Sequence, residues 1–383
     1  MLGAAMAAMG CSTLDNAVKC RSADPDTKVA GCTALIESGR LPTKNLSIVY
    51  FNRGTAYSTK GDHDHAIQDF SVAIRLNPNY ASAYNDRGAA YYDKGDYDNA
   101  IRDYNEAIRL NGSIAAAFYG RGESYNRKGD FDPAIQDYNE AIRLNPHFVY
   151  AYNARGAAYR NKGAYDRAIQ DYNEAIRLNP NFALAYNNRG EAYDHKGDYD
   201  HAIQGYNEAI RLNPNLAAPY ANRGGAYFLE SNLSAAIPDF EHAISTAPSS
   251  RSALYAALML HLAVKRQGHD DAQLLTPVAA AADLSKWPGP VLKLDLGQMT
   301  AGEVMAAATK ASADKQEGQV CEANYFTGED ALFHHQRTTA MARLKAASEG
   351  CPERDGAYRR AVVELKRLGA SAAPVNASTS PVK

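Results

Sequence analysis

The stretch that decides the fold is AYNARGAAYRNKGAYDRAIQDYNEAIRLNP, residues 151–180. A close copy, AYNNRGEAYDHKGDYDHAIQGYNEAIRLNP, follows at residues 185–214, which is 34 residues later. The same period runs from residue 47 to residue 250, and one glycine marks each of six copies: Gly54, Gly88, Gly122, Gly156, Gly190 and Gly224. A fixed period of this length predicts a solenoid of stacked repeats, because one copy can hide its apolar face only against its neighbours.

Each copy predicts two helices. Aromatic residues seven apart, such as Tyr84 and Tyr91, lie on one face of the first helix. A glycine such as Gly95 is expected to end that helix. Three residues later a polar residue is expected to cap the second helix. The expected caps are Asp64, Asp98, Asp132, Asp166, Asp200 and Ser234, and the expected buried positions of the second helix are Ile67, Phe70, Ala73, Ile74 and their equivalents.

This pattern resembles the tetratricopeptide repeat (TPR) family. The matching residues are Tyr152, Gly156, Tyr159, Ala168, Tyr172, Ala175 and Pro180, with equivalents in the other five copies. The resemblance implies an all-α fold, a right-handed TPR superhelix (α-solenoid) of antiparallel helix pairs, here with an irregular helical carboxy-terminal extension.

One departure from the family pattern is an arginine where an apolar residue is usual. It recurs as Arg53, Arg87, Arg121, Arg155, Arg189 and Arg223. We expect a structural role, in which each guanidinium lies along tyrosine rings and reaches a helix end or the aspartate of a neighbouring copy.

The first helices of TPR arrays line a concave groove, so the resemblance implies that ligand-reading residues lie on them. Asparagine recurs at two adjacent positions of these helices. Since a carboxamide both donates and accepts hydrogen bonds, spaced asparagines can pair with the backbone of an extended peptide. The alternative is that asparagine only tolerates a wet helix face. The predicted groove residues are Asn52, Asn85, Tyr119, Tyr150, Asn153, Arg160, Asn187, Asn188 and Asn222.

Composition narrows the class of function. The chain has 383 residues, of which 45% are hydrophobic and 22% charged, with a formal net charge of -2. This charge argues against a nucleic-acid partner, since phosphate binding needs a basic surface. We find no nucleophile–base pair, phosphate-binding loop or metal-ligand spacing, and therefore expect no catalysis, cofactor, metal or small-molecule substrate. No apolar run is long enough to predict a membrane-spanning helix. The expected partners are other proteins or peptides.

The amino terminus, MLGAAMAAMG followed by Cys11, is similar to a signal peptide or a lipoprotein leader, and we assign residues 1–11 to such a segment. Cys11 is then the lipidation candidate, which would give a lipid anchor. The alternative is a bland flexible tail. Cysteine usage supports export, because Cys20 with Cys32 and Cys321 with Cys351 are predicted disulfide pairs. For the first pair, two independent buried thiols remain the alternative.

The predicted organisation has five further segments. Residues 12–46 form a degenerate first repeat or cap, residues 47–250 the six repeats, and residues 251–316 an irregular helical segment. Residues 317–370 form a degenerate repeat and a capping helix, and residues 371–383 a disordered tail. In the degenerate repeat the key positions are Gly328, Ala340, Ala347 and Pro352, which places Cys321 at the start of its first helix and Cys351 at the end of its second.

The chain from Trp287 onward also resembles TPR lipoproteins of the Gram-negative outer membrane, which are adaptors for peptidoglycan hydrolases and a periplasmic protease. That resemblance implies a homodimer and a periplasmic or outer-membrane-associated location. The leading hypothesis is therefore a non-enzymatic scaffold or adaptor of the bacterial cell envelope that binds an extended partner segment in its groove. The alternatives are a cytoplasmic TPR scaffold or assembly factor, and an enzyme that uses residues around Trp287, Glu322 and His334.

Overall fold

A computed structural model describes residues 11–269, 272–352 and 356–369, and for residues 11–13, 272, 273 and 314 it describes the backbone only. The predicted leader before Cys11 and the predicted tail at 371–383 lie outside these residues. The described residues form 21 α-helices, one turn of 3-10 helix at Ala272–Leu275 and no β-strand. The all-α prediction is thereby confirmed.

The six repeats are six helix pairs. We call the first helix of each pair its A helix and the second its B helix. The pairs are α3 (Thr43–Thr59) with α4 (His63–Leu76), α5 (Ala81–Asp93) with α6 (Tyr97–Leu110), α7 (Ala115–Lys128) with α8 (Phe131–Leu144), α9 (Val149–Asn161) with α10 (Tyr165–Leu178), α11 (Ala183–His195) with α12 (Tyr199–Leu212), and α13 (Ala217–Leu229) with α14 (Leu233–Thr246).

Helices outside the repeats lie at both ends of the chain. Before the repeats are α1 (Cys11–Lys19) and α2 (Pro25–Glu37). After them are α15 (Arg251–Arg266), α16 (Thr276–Ala281), α17 (Gly289–Asp295), α18 (Ala301–Thr309), α19 (Ala313–Phe333), α20 (Arg337–Glu349) and α21 (Gly356–Arg367). The chain divides into two compact units, Met1–Pro180 and Asn181–Lys383, and each is described here by itself.

The turn between the A and B helices is built by a glycine and an aspartate. Gly61, for example, has a φ of 76°, a left-handed conformation that glycine adopts without strain. The next residue, Asp62, is the N-cap of α4 and accepts the backbone N–H of His65 at 3.3 Å. The prediction that Asp64 and its equivalents cap the B helices is therefore wrong by two residues. The helix begins directly after Asp62, so Asp64 already lies in its first turn.

The aspartates that were expected to be caps instead join neighbouring repeats. Lys128 of the third repeat binds Asp98 of the second, with Nζ 2.6 Å from Oδ1. Lys94 binds Asp64 and Lys162 binds Asp132 in the same way. All these groups are largely exposed, so each pair contributes little to stability. They align the repeats more than they stabilise them.

Close packing between the A and B helices depends on the marker glycine. A Cβ atom added at Gly156 would lie 2.8 Å from the ring of Tyr172, which is fully buried on α10. Gly54 meets Phe70 and Gly122 meets Tyr138 in the same way. The aromatic ring of the B helix therefore fills the space that any side chain on the A helix would need.

The degenerate repeat predicted near the carboxy terminus is the pair α19 and α20. Gly328 packs against Leu344, where an added Cβ would come within 3.0 Å of the side chain. His335, at the place of the turn glycine, also has a left-handed conformation, with a φ of 59°. The pair departs from the prediction in one respect. Because α19 begins at Ala313, Cys321 lies within the helix rather than at its start.

The second unit has one large core that extends beyond the repeats. It includes Phe240 of α14, Leu258 of α15, Leu292 of α17, Tyr325 of α19 and Leu365 of α21. Buried charges also join these helices. Arg266 of α15 binds Glu329 of α19 at 2.8 Å and Glu364 of α21 at 2.6 Å, and both carboxylates are almost fully buried. The capping helix α21 is therefore an integral part of this unit.

Candidate functional site

The arginines of the A helices form a ladder of ion pairs inside the repeats. Arg53 binds both carboxylate oxygens of Asp69, with Nε at 2.7 Å and Nη2 at 2.9 Å. The same two-point pairs are Arg87 with Asp103, Arg121 with Asp137, Arg155 with Asp171 and Arg223 with Asp239. Each arginine also lies over the ring three residues earlier, as Arg155 does over Tyr152 at 5.5 Å.

The expected structural role of these arginines agrees with this geometry, with one correction. The aspartate belongs to the same copy, and the preceding copy supplies a neutral acceptor instead. Arg155 Nη1 donates to Asn139 at 2.6 Å, and Arg87 Nη1 donates to Ser71 at 2.9 Å. Burial raises the pKa of Asp171, while its hydrogen bonds to Arg155 oppose that rise. The ladder therefore joins the helices of one repeat and the repeats to each other.

The fifth repeat departs from the ladder. Gly205 stands where the other repeats have the aspartate, and an added Cβ would lie 2.9 Å from the carbonyl oxygen of Tyr186. The two helices therefore approach each other too closely for a side chain at this position. Arg189 keeps its place over the Tyr186 ring at 5.3 Å.

The predicted groove residue Asn85 and its neighbour Asp86 lie side by side on the A helix α5. Asn85 donates from Nδ2 to Asp86 at 2.9 Å, and its own Oδ1 is buried without a hydrogen-bond partner in the described part of the chain. Burial raises the pKa of Asp86, and only the hydrogen bond from Asn85 opposes this. No cation pairs with Asp86 among the described side chains. Asp86 is not among the predicted groove residues, although it stands where the first, fifth and sixth repeats have Asn52, Asn188 and Asn222.

The other predicted groove residues of the first unit differ in burial, since one is packed against aromatic rings and the rest are partly or largely exposed. Tyr119 packs against Tyr138 and Phe148, with ring centroids 6.0 and 5.0 Å apart, and burial raises its pKa. It belongs to the packing of the third repeat. Tyr150, in contrast, is 59% exposed. Asn52 on α3, and Asn153 and Arg160 on α9, are partly exposed.

Gly120 of the third repeat stands where the first, fifth and sixth repeats have Asn52, Asn188 and Asn222, and packing explains the difference. An added Cβ there would lie 2.5 Å from the hydroxyl oxygen of Tyr104. The tyrosine of the preceding repeat therefore already occupies the space that an asparagine side chain would need.

Two predicted asparagines of the second unit bind a carboxylate that the prediction did not include. Asn187 is buried, and its Nδ2 donates to Glu191 at 2.7 Å. Asn222 donates from Nδ2 to the same oxygen at 3.0 Å and to Asn187 Oδ1 at 3.1 Å. Their amides are thus already in use within the protein. Asn188, the neighbouring residue, is partly exposed.

A cavity of about 360 Å³ lies beside this network, and the sequence reasoning missed it. Its wall includes Glu191 and Asp194 of α11, Tyr255 of α15, and Arg359 and Arg360 of α21. Arg359 closes it on one side by donating to the backbone oxygen of Asp194 at 2.8 Å and to its carboxylate. The charged residue at 191 is only a weak signal of this site in the sequence, because Glu123 stands at the same position in the third copy. Arg359 and Arg360 belong to α21, a helix that does not follow the 34-residue pattern, so the repeat gave no indication of their place in the wall.

The four cysteines of the predicted pairs are bonded as expected. Cys20 is joined to Cys32, with Cα atoms 4.6 Å apart, and Cys321 to Cys351, with Cα atoms 5.7 Å apart. The first bond holds α1 against α2, and the second holds α19 against the end of α20. The side chain of the lipidation candidate Cys11 lies outside the described residues.

Comparison with protein families agrees with the repeat geometry. Models described as TPR repeat or tetratricopeptide repeat match residues 54–95 and 156–194, residues 85–147, residues 137–170 and residues 183–216. Residues 54–216 are tetratricopeptide repeats. TPR proteins are protein-interaction scaffolds that bind proteins or peptides, and the fold is typically non-enzymatic. No curated protein matches the chain at a significant level.

Two of the solved structures that are similar to this chain, with TM-scores above 0.5, show the same fold. A tetratricopeptide repeat protein from Parabacteroides merdae is 20% identical, with a TM-score of 0.53, over 67% of this chain and 100% of that one. The Cut9–Hcn1 hetero-tetramer of APC/C is 20% identical, with a TM-score of 0.51, over 66% of this chain and 51% of that one. YrrB, described as a TPR protein with an unusual peptide-binding site, is 24% identical, with a TM-score of 0.40, over 49% of this chain and 96% of that one.

In the described part of the chain, no helix has both the length and the apolar character to cross a bilayer. The same residues contain no group of three or more His, Cys, Asp or Glu side chains that could hold a metal ion.

Proposed function

We propose that this protein is a non-enzymatic scaffold whose TPR groove binds an extended, basic segment of a partner protein. The observation that carries the proposal is Asp86, a partly buried carboxylate on an A helix that receives one hydrogen bond, from Asn85, and pairs with no cation among the described residues. A carboxylate in such surroundings attracts a lysine or arginine more strongly than one in bulk water, because the effective dielectric constant is lower.

The neighbouring groups suit the backbone of the same segment. The Oδ1 of Asn85 lacks a partner in the described structure, and once the side chain rotates towards the groove it can accept one backbone N–H of the segment. Tyr150, two repeats further on, offers an exposed aromatic ring for an apolar side chain. A partner segment that spans the second to fourth repeats would therefore combine one ion pair, backbone hydrogen bonds and one aromatic contact.

Selection from a library of displayed random peptides tests this proposal. We expect the full chain to enrich peptides that contain lysine or arginine, and we expect Asp86→Asn to remove that enrichment. Asp98→Asn is the matched control, because it removes the same charge from an exposed residue of a B helix. Absence of enrichment with the wild-type protein, or the same basic preference in Asp86→Asn, would contradict the proposal.

We further propose that the protein works in the bacterial cell envelope, in the periplasm or at the outer membrane. The two disulfides support this location, because such bonds persist in oxidising compartments and are rare in the cytosol. The adaptor role, the homodimer and a lipid anchor on Cys11 belong to the same proposal. Mass measurement of protein from its native host, before and after reduction, tests it. Four free thiols at the paired cysteines would favour the cytoplasmic alternative.

A further inference from the structure

The junction between the second and third repeats differs from the other repeat junctions in one residue. Five B helices end at an asparagine C-cap, and in four of these junctions the next residue is a proline: Pro78, Pro146, Pro180 and Pro214. After α6 the next residue is Gly112, which makes Asn111–Gly112 the single Asn-Gly dipeptide of the chain. Proline has no backbone N–H, whereas glycine has one and carries no side chain beside it.

The asparagine has nearly the same geometry in both kinds of junction. Asn111 has φ and ψ of -150° and 92°, and Asn145, its equivalent in the third repeat, has -136° and 90°. The Oδ1 atom of each accepts the backbone N–H two residues later, from Ser113 and from His147, at 3.1 Å in both cases. This hydrogen bond holds the carboxamide against the intervening peptide group and polarises its carbonyl. The junctions therefore differ in whether the intervening nitrogen carries a proton.

The peptide N–H of Gly112 is accessible and is not used in another bond. Asn111, Gly112 and Ser113 are all exposed. The N–H of Asn111 donates to Ala107 at 2.9 Å and that of Ser113 donates to Asn111 Oδ1, whereas the N–H of Gly112 has no hydrogen-bond partner in the described part of the chain. Water can therefore reach this N–H, and no acceptor of the protein holds its proton.

We propose that Asn111 is a modification site at which the chain deamidates itself. The Gly112 nitrogen gives its proton to water or hydroxide and bonds to Cγ of Asn111, which closes a succinimide ring. The bond from Cγ to Nδ2 then breaks, and Nδ2 leaves as ammonia. Water adds to either carbonyl of the ring and opens it, which yields aspartate or isoaspartate. Water is the only co-reactant, and nothing is oxidised or reduced.

The products would change the contact between two repeats. Either product places a negative charge at the carboxy-terminal end of α6, where the helix dipole disfavours it. Isoaspartate also adds a carbon atom to the backbone between α6 and α7. These helices pack without spare room, since an added Cβ at Gly120 of α7 would lie 2.5 Å from the hydroxyl oxygen of Tyr104 of α6. We therefore expect the modified chain to be less stable, whether or not the groove binds a peptide.

Mass-spectrometric peptide mapping of the full chain during incubation at mildly alkaline pH tests the proposal. We expect Asn111 to deamidate at least about tenfold faster than Asn145 or Asn213, because proline cannot supply the attacking nitrogen. The same chain unfolded in guanidinium chloride is the reference for the native state. Equal rates at the three asparagines, or modification of Asn111 in the unfolded chain only, would overturn the proposal.

Exchange of the two residues between the junctions tests the mechanism. Gly112→Pro should stop the modification of Asn111, and Pro146→Gly should create a second site at Asn145, since the two junctions share their geometry. Circular dichroism confirms that both variants are folded. A folded Gly112→Pro chain that still deamidates at Asn111, or a Pro146→Gly chain in which Asn145 stays intact, would contradict the mechanism.

The effect on stability is measured on the separated forms. Ion-exchange chromatography isolates the modified chain by its added negative charge, and thermal unfolding compares it with the unmodified chain. We expect a lower midpoint for the modified chain. An unchanged midpoint would contradict the expected loosening of the junction.

Discussion

Arg155 of α9 and Asp171 of α10 share two hydrogen bonds, from Nε at 2.9 Å and from Nη2 at 2.6 Å, and both side chains are less than one-fifth exposed. We predict that Arg155→Leu lowers the free energy of unfolding by about 3 kcal/mol, because it leaves the buried Asp171 carboxylate without its cation. Urea denaturation measures this. Peptide binding by the folded variant should be unchanged, since the pair joins the helices and does not face a partner.

The double variant separates the pair from its parts. Asp171→Leu alone should also destabilise, but Arg155→Leu with Asp171→Leu should cost less than the sum of the single changes, because neither charge is then left unpaired. Additive losses would show that the two side chains do not interact. A folded Arg155→Leu protein that no longer binds its peptide would show that the arginine reads the partner.

Two adjacent glycines of α13 should respond in opposite ways to the same substitution. A Cβ atom at Gly224 would lie 2.8 Å from the ring of Phe240, whereas one at Gly225 meets open space. We predict that Gly224→Ala destabilises by about 1 to 3 kcal/mol through overpacking. Gly225→Ala should stabilise by about 0.5 to 1 kcal/mol through helix propensity. Thermal unfolding of the two variants side by side checks this, and equal effects would contradict the packing account.

Asp86, the residue proposed to bind a basic partner segment, is also expected to lower the stability of the folded protein. Burial raises its pKa above the ordinary value of 3.8, so its ionised form destabilises the folded protein at pH values above the raised pKa. We predict that Asp86→Asn increases the free energy of unfolding at neutral pH by about 0.5 to 1 kcal/mol. The advantage should shrink as the pH falls towards 3.8, because Asp86 of the wild type then becomes protonated. Urea denaturation across this pH range measures it, and a destabilised variant at pH 7 would contradict the assignment.

The turn of the sixth repeat carries backbone strain. Ser231 stands where five other repeats have glycine, and its φ is 62°. A side chain in this conformation is unfavourable, so Ser231→Gly should stabilise the protein by about 0.5 to 1 kcal/mol. Ser234→Gly, on the exposed first turn of α14, is the control and should be neutral or destabilising. Thermal unfolding distinguishes them, and no gain from Ser231→Gly would show that the turn is unstrained.

The sequence predicted the fold well because the same 34-residue pattern occurs six times. Periodic residues such as Gly156 and Tyr172 are constrained by packing, and their spacing was sufficient to place the helix pairs. The capping residue was misplaced because Asp62 and Asp64 are both plausible caps, and only the backbone of the turn distinguishes them.

The candidate site was less predictable, since it depends on departures from the repeat. The sequence did not indicate that the side-chain amide of Asn187 donates to Glu191. It also did not indicate that Tyr119 packs against neighbouring aromatic rings. The pairing of Arg359 with Asp194 spans 165 positions of the chain, so no local pattern could reveal it. The sequence shows that residue 86 is an aspartate, but its burial and its lack of a cation partner among the described residues became evident only from the structure.

Crosslinking in cells of the native host tests the central claim most directly. A photoreactive amino acid at Tyr150, an exposed residue of the predicted groove, is compared with one at Arg109, an exposed position of α6. We predict a discrete partner protein captured from position 150, lost in the Asp86→Asn background and absent from position 109. Capture of the same proteins from both positions, or capture from position 150 that Asp86→Asn leaves unchanged, would contradict the account.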